Sequence, residues 1–290
     1  MILSRFLPLF LLIATTFSVK AVEIVTTTNS YFNTTDNISL ALPSWASGWG
    51  SGNTNNGWNY LGQVNGASGT YLGNGWVLTA GHVGAGSFTL NGNTYNSTGY
   101  SYSSFTYNST NTADLTLFKI STTSTTGNTL SLSALTLASN APTPFSGFQS
   151  GSTNVMVGYG GGSESWGINT VTANNTPVTV SGYSFLSVDY VTAHGTVTAG
   201  AQSITNNAEL IGGDSGGGNF INVSGSWQLA GINEGVDTSG NSYLVQLDYY
   251  QAQIKSVMAA VPEPGTWAFL GLGLSALLSF SFLKNRKRDS

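Results

Sequence analysis

From Tyr60 onward, short runs of alternating apolar and polar residues are broken by Asn-Gly, Ser-Gly and Gly-rich turn signals, a period-two pattern that predicts β-strands. "GTYLGNGWVLTA" (69–80) predicts strand, turn, strand. "SFTLNGNTYN" (87–96) predicts a hairpin turning at Asn91-Gly92, because both turn residues tolerate positive φ. "DLTLFKI" (114–120) and "TNVMVGYGGG" (153–162) predict buried strands, and "GGNFINVSGSWQLAGINEG" (217–235) a hairpin around Ser224-Gly225. One segment changes period. "LVQLDYYQAQIKSVMAAV" (244–261) places Leu247, Tyr250, Ile254, Val257 and Met258 on one face of an amphipathic helix, which Pro262 stops. Residues 22–58 are rich in Asn, Thr, Ser and Gly and only weakly patterned. The succession predicts an all-β barrel or sandwich closed by a helix.

The two ends differ in kind from the middle. Residues 1–21 carry Arg5, an apolar run from Phe6 to Ala14 and then small residues, the layout of a secretory signal peptide cleaved after Ala21. Residues 265–283 are nearly all apolar and uncharged. At helical rise they span about 28 Å, enough for a transmembrane helix. The basic cluster "KNRKR" (284–288) would hold the cytoplasmic side, leaving the bulk of the chain outside the membrane.

Charge narrows the partners. Residues 22–260 hold two basic residues, Lys119 and Lys255, against ten acidic ones, a net charge of −8. That balance argues against nucleic acid, whose phosphates need basic contacts. Cysteine is absent, so neither disulfides nor a cysteine metal site is expected, and two histidines are few for any other transition-metal site. No cofactor is expected. The aromatic and aliphatic content nonetheless suits a folded domain.

Within that domain, "IGGDSGGGNF" (211–220) sets Ser215 among glycines that can adopt the φ > 0 geometry aiming successive N–H groups at one point. A serine nucleophile needs a base, an acid to orient that base, and donors for an oxyanion. Gly213 and Ser215 N–H groups would be those donors. The choice of base is narrow: His82, in "WVLTAGHVGAG", follows an apolar strand at the mouth of a Gly-rich loop, whereas His194, in "VTAHGTVT", fits a surface or core position within a β alternation. Asp114 is the only carboxylate from His82 through Ser163 and opens a buried run, which suits an orienting acid.

Order separates the candidate folds. G-D-S-G-G also satisfies G-x-S-x-G, but that elbow needs a histidine after the serine, and none follows Ser215. The order Asp36…His82…Ser215 would demand an α/β chain. The order His82…Asp114…Ser215 fits an all-β enzyme. The chain resembles the trypsin/chymotrypsin-like serine peptidases from about residue 60 to residue 259. "SGTYLGNGWVLTAGHV" is similar to the segment leading into the family's histidine, with Gly81 for the usual Ala and Val83 where Cys is frequent. "ADLTLFKI" resembles the aspartate segment, and "VMVGYGGG" the Gly-Trp-Gly strand with Tyr159 for Trp. "GGDSGGGNFINVSGSWQLAGINEG" is similar to the nucleophile loop and its hairpin, with Gly218 for Pro.

The resemblance implies two six-stranded antiparallel β-barrels (chymotrypsin-like), the first over about 22–135 and the second over about 136–260. The active site would lie in the cleft between them. It implies catalytic His82, Asp114 and Ser215, an oxyanion hole at Gly213 and Ser215, and a protein or peptide substrate. Glu209, six residues before Ser215, would sit at the base of the primary specificity pocket, where an acid selects Lys or Arg. The substrate-binding strand is the atypical "INEG" (232–235). Family zymogens pair a newly freed N-terminal ammonium with the Asp before the nucleophile. Here Ile24-Val25 is followed by threonines, so no such switch is expected, and Asp214 needs another partner or a differently processed N-terminus.

The tail "VPEPGTWAFLGLGLSALLSFSFLKNRKR" is similar to a PEP-CTERM sorting signal: Pro262-Glu263-Pro264, an apolar span, then basic residues. That resemblance implies a Gram-negative bacterium, an exosortase-type processing enzyme for residues 261–290, and delivery to the cell surface or extracellular matrix, with membrane anchoring before processing. The rival expectation is a non-catalytic surface or matrix protein that keeps the fold as a scaffold. A weaker one is an ester hydrolase with the same chemistry.

Overall fold

The computed structural model describes residues 22–24, 32–33, 57–108, 110–146, 151–179, 182–199 and 202–261. The expected signal peptide (1–21) and transmembrane span (265–283) lie outside the described residues. Among the described residues no helix is long and apolar enough to cross a membrane.

In chain order the early strands are β1 (Glu23–Ile24), β2 (Phe32–Asn33), β3 (Leu61–Val64), β4 (Ala67–Gly73), β5 (Trp76–Thr79), β6 (Phe88–Leu90), β7 (Asn93–Tyr95), β8 (Ser97–Tyr102) and β9 (Thr116–Ile120). The later ones are β10 (Thr153–Gly158), β11 (Ser165–Thr179), β12 (Leu186–Ala193), β13 (Gly195–Ala199), β14 (Gln202–Glu209), β15 (Gly218–Val223), β16 (Ser226–Val236) and β17 (Ser242–Gln246), followed by helix α1 (Leu247–Ala260). They form two antiparallel barrels. The first is nearly closed, in the order β7-β6-β3-β4-β5-β9-β8. The second runs β10-β15-β16-β17-β12-β11 and closes into six strands through the β10–β11 pairing. The two-residue strands β1 and β2 pair with β14 and β11, so this early segment belongs with the second barrel although its sequence position lies with the first.

The turns follow from residue type. Asn91 (φ 49°) and Gly92 (φ 72°) join β6 to β7, and Ser224 (φ 52°) and Gly225 (φ 85°) join β15 to β16. Two consecutive positive φ values give the turn whose twist matches that of the flanking strands. Inside the first barrel pack Val64, Tyr71, Val77, Phe88 and Phe118. Inside the second lie Met156, Val171, Tyr190, Ile221 and Leu244, with Val22 among them. A third cluster joins Leu78, Leu115, Val157, Trp166, Phe220 and Ile232 to Leu247, Tyr250 and Ile254 of α1. Each large apolar side chain so buried contributes about 1.5–3 kcal/mol, which fixes the two barrels against one another. The helix begins three residues later than the periodicity predicts. Leu244, Val245 and Gln246 instead complete β17 by pairing with β12 and β16.

Candidate active site

His82 sits in a tight turn just after β5, where Val83 and Gly84 N–H groups bond back to Ala80 O. Asp114, two residues before β9, is fully buried. β5 and β9 are paired neighbours, Thr79 opposite Thr116, so the two loops leave the sheet side by side. The Asp114 carboxylate then meets His82 twice: Oδ1 accepts the main-chain N–H at 2.7 Å and Oδ2 lies 2.6 Å from Nδ1. This places the ring proton on Nδ1 and leaves Nε2 as the proton acceptor. The hydrogen bond to Asp114 raises His82 above the usual imidazole value, partly opposed by burial. Sequence order brings these two residues together, and the structure does so in space.

Ser215 is partly exposed in a loop between β14 and β15. Its shape requires glycine at two places. Gly213 has φ 99° and Gly216 φ 88°; a Cβ on Gly216 would also lie 2.1 Å from Ser68 O and Thr79 Oγ1 of the first barrel. Contacts to that barrel hold the loop. Ser68 N–H on β4 donates to Ser215 O at 2.9 Å, and Ser68 Oγ donates to Gly213 O at 2.9 Å while accepting Tyr159 N–H at 2.8 Å. From the other side Asn233 on β16 donates through Nδ2 to Asp214 O (3.0 Å) and Val157 O (2.9 Å). Ser68 and Asn233 therefore position the Ser215 loop. Both lie in segments that carry the family resemblance, Ser68 at the start of "SGTYLGNGWVLTAGHV" and Asn233 in "INEG", but neither is singled out there for this role.

Asp214 is buried and accepts three main-chain N–H groups: Gly160 at 2.8 Å, Ile211 at 2.8 Å and Val22 at 3.0 Å. Burial pushes its carboxyl up to about 6, against the lowering effect of those bonds. Val22 is the other partner that Asp214 was expected to need, although no switch was expected of the neighbouring Ile24-Val25. That expectation rested on the residues after Ile24-Val25, whereas the group that reaches Asp214 lies two residues before Ile24. β1 holds it there, since Glu23 and Ile24 pair with Glu209 and Ala208.

Beside His82 stands Tyr183, 51% exposed, its ring centroid 5.2 Å from the imidazole and stacked on Phe185. Both aromatics come from the β11–β12 connection, which the sequence pattern left unassigned. Glu209, the expected specificity acid, ends β14 with its Oε2 3.3 Å from His194 Nδ1. His194 lies at the bend between β12 and β13 rather than within a strand.

A family model described as Trypsin matches residues 47–254, and one described as the PEP-CTERM protein-sorting motif matches residues 260–287. Among solved structures the chain is similar to the inactive form of the Rv3671c protease of M. tuberculosis, at 16% identity and TM-score 0.49, covering 69% of this chain and 89% of that one. It is similar also to the HtrA-type protease AlgW with decapeptide (17%, TM-score 0.43), covering 67% of this chain and 51% of that one. The NS6 protease from murine norovirus 1 is 13% identical with TM-score 0.41, covering 66% and 90%. No curated protein matches the chain. The Trypsin match runs through the His82 turn, the Asp114 strand and the Ser215 loop, and the chain belongs to the trypsin family.

Proposed function

We propose that the chain is an exported serine endopeptidase working by acyl transfer. Ser215 Oγ attacks the substrate carbonyl carbon while His82 Nε2 takes the hydroxyl proton. His82 then gives that proton to the leaving amine, and water releases the acyl group by the same route. Asp114 holds the ring tautomer and stabilises the imidazolium, and the N–H groups of Gly213 and Ser215 receive the oxyanion. The observation that carries this reading is the 2.6 Å bond between His82 Nδ1 and buried Asp114. The peptidase domain would span residues 22–260. Residues 1–21 would be removed at export and the tail 261–290 processed by an exosortase at the cell surface, as the sorting motif implies. Glu209 stays the proposed acid for a basic substrate side chain, which would compete with His194 for it.

A fluorophosphonate probe tests the reading directly. The exported protein should gain one adduct by intact mass, and Ser215→Ala should gain none. A folded wild-type sample that never labels would sink the proposal.

A further inference from the structure

Behind the Asp114–His82 pair the fold buries two more acids. Glu234 is 3% exposed and Asp189 fully buried. Glu234 sits at a bulge in β16: the register with β17 runs Asn233 opposite Leu244 and then Gly235 opposite Tyr243, leaving Glu234 as the extra residue. A bulge re-aims a side chain, and here it turns a carboxylate inward. Asp189 lies on β12, on the far side of β17, with Ser187 two residues earlier on the same strand face.

Ser187 joins these acids to the site. Its Oγ accepts the main-chain N–H of Asp114 at 2.9 Å and donates to Glu234 Oε1 at 2.9 Å. One hydroxyl proton thus has one orientation, fixed from both ends. Asp114 belongs to the first barrel; Ser187 and Glu234 belong to the second, as does Ser215. The chain Asp114–Ser187–Glu234 ties the acid and base to the barrel that carries the nucleophile. We infer that Glu234, with Asp189 as its proton-bearing partner, is a positioning residue: it anchors the main chain of Asp114 through Ser187 and adds its charge to the field that supports protonated His82. This inference rests on the serine peptidase reading above.

Two facing carboxylates in a dry site cannot both be ionised, because each only accepts hydrogen bonds and their charges repel. Apart from one another, neither Asp189 nor Glu234 Oε2 meets a donor. One proton between them resolves the conflict. Burial, then Glu234 beside it, raises Asp189 well above the carboxylate range. Burial raises Glu234 to about 7, partly offset by its bonds from Asp189 and Ser187. The groups acting on the pair are Asp114 and His82 from the first barrel, Tyr250 from α1, and Tyr190 and Tyr243 from the flanking strands. Lys119 lies over the Trp76 ring and Lys255 is exposed on α1. The pair therefore carries one negative charge above about pH 7 and loses it below.

The test uses the full chain, exported and purified, with Glu234→Gln. Glutamine keeps the volume and the acceptor for Ser187 but removes the charge. Because the chain has only two histidines, the His82 imidazole can be followed by NMR titration, with His194→Gln to assign it. The inference expects the His82 midpoint to fall by about half a pH unit or more. The acid limb of kcat/KM should move down with it, and kcat should drop several-fold at unchanged KM. Ser187→Ala should lower kcat with KM unchanged. Should Glu234→Gln fail to fold, Asp189→Asn serves with the opposite sign: Glu234 then keeps its charge to lower pH, and the His82 midpoint and the acid limb move up. A His82 midpoint and pH profile identical to wild type overturn the inference. The NMR midpoint does not need turnover, so a wild-type protein that binds no fluorophosphonate sinks the peptidase reading while leaving the Glu234 measurement intact.

Discussion

The main-chain nitrogen of Val22 lies 3.0 Å from Asp214 Oδ2, a contact that bridges 192 positions and links the N-terminal segment to the loop of Ser215. Val22 is fully buried, packed with Ala208, Val171 and Met156, and its φ is 45°. A β-branched residue in that region is strained by about 1–3 kcal/mol, because the preceding carbonyl crowds its side chain. Cutting the 21–22 peptide bond removes that carbonyl and the strain with it. The cut also converts the neutral amide facing Asp214 into an ammonium.

A chain beginning at Val22 should therefore be more stable and more reactive than one that retains Ala21. With an amide at Val22 the carboxyl rises from 3.8 to about 6, so the folded state holds its proton more tightly than the unfolded one. Stability then falls as pH rises from about 4 to about 6, by about 3 kcal/mol. An ammonium lowers the carboxyl again and removes that loss. The comparison is thermal unfolding of the two forms at pH 4 and pH 7. The gap between them should widen at pH 7, with faster fluorophosphonate labelling of the cut form. Equal stability and labelling at both pH values would rule out a role for the amine.

Ser68 gives a second prediction, because its one hydroxyl connects Tyr159 N–H to Gly213 O inside a buried site. Ser68→Ala leaves a donor and an acceptor without partners, at a cost of about 1–3 kcal/mol. It also frees the main chain of Gly213, whose own N–H, one peptide earlier, is the proposed oxyanion donor. Denaturant unfolding should show the lost stability and kcat should drop at least about tenfold, while the His82 midpoint stays put. A shifted midpoint would mean that Ser68 acts on the base rather than on the loop.

The parts of the site that were legible are those carried by local pattern. His82 follows an apolar strand, Asp114 opens an apolar run, and Gly216 beside Ser215 occupies a position where a side chain would collide with Ser68 O. Strand alternation and Asn-Gly and Ser-Gly turns gave the hairpins for the same reason. What escaped depends on register. Glu234 points inward only because β16 bulges against β17. Ser187 and Asp189 reach Glu234 only once β12 pairs with β17 and β17 with β16. Val22 reaches Asp214 through a two-residue strand too short to leave any periodicity. Such contacts join residues 47 to 192 positions apart, and no window along the chain encodes them.

Asp114→Asn separates orientation from charge. An amide in place of the carboxylate can donate to Nδ1, which moves the ring proton to Nε2 and removes the base. kcat/KM should fall about 10³–10⁴-fold with KM little changed. Asp114 is the first cause of the raised His82 value. The base must be neutral to act, so activity rises with pH through that value, and the residual activity of the variant should rise at lower pH than in wild type. A variant with full activity would remove Asp114 from the mechanism.

Tyr183 tests whether the aromatic ledge beside the base takes part in binding. Its ring is half exposed, lies 5.2 Å from His82 and stacks on Phe185, so it offers an apolar surface to solvent beside the imidazole. An exposed aromatic in that place contributes little to folding, since much of its surface remains in water. Its worth lies in contact with an apolar substrate side chain, about 0.5–1.5 kcal/mol beyond area burial when that side chain is aromatic. Tyr183→Ala should raise KM for peptides with an apolar residue near the scissile bond by about three- to tenfold. Unfolding midpoints should stay within error, and peptides bearing only small polar residues should show the smallest change. A uniform loss of kcat across all peptides would place Tyr183 instead among the groups that hold His82 in position.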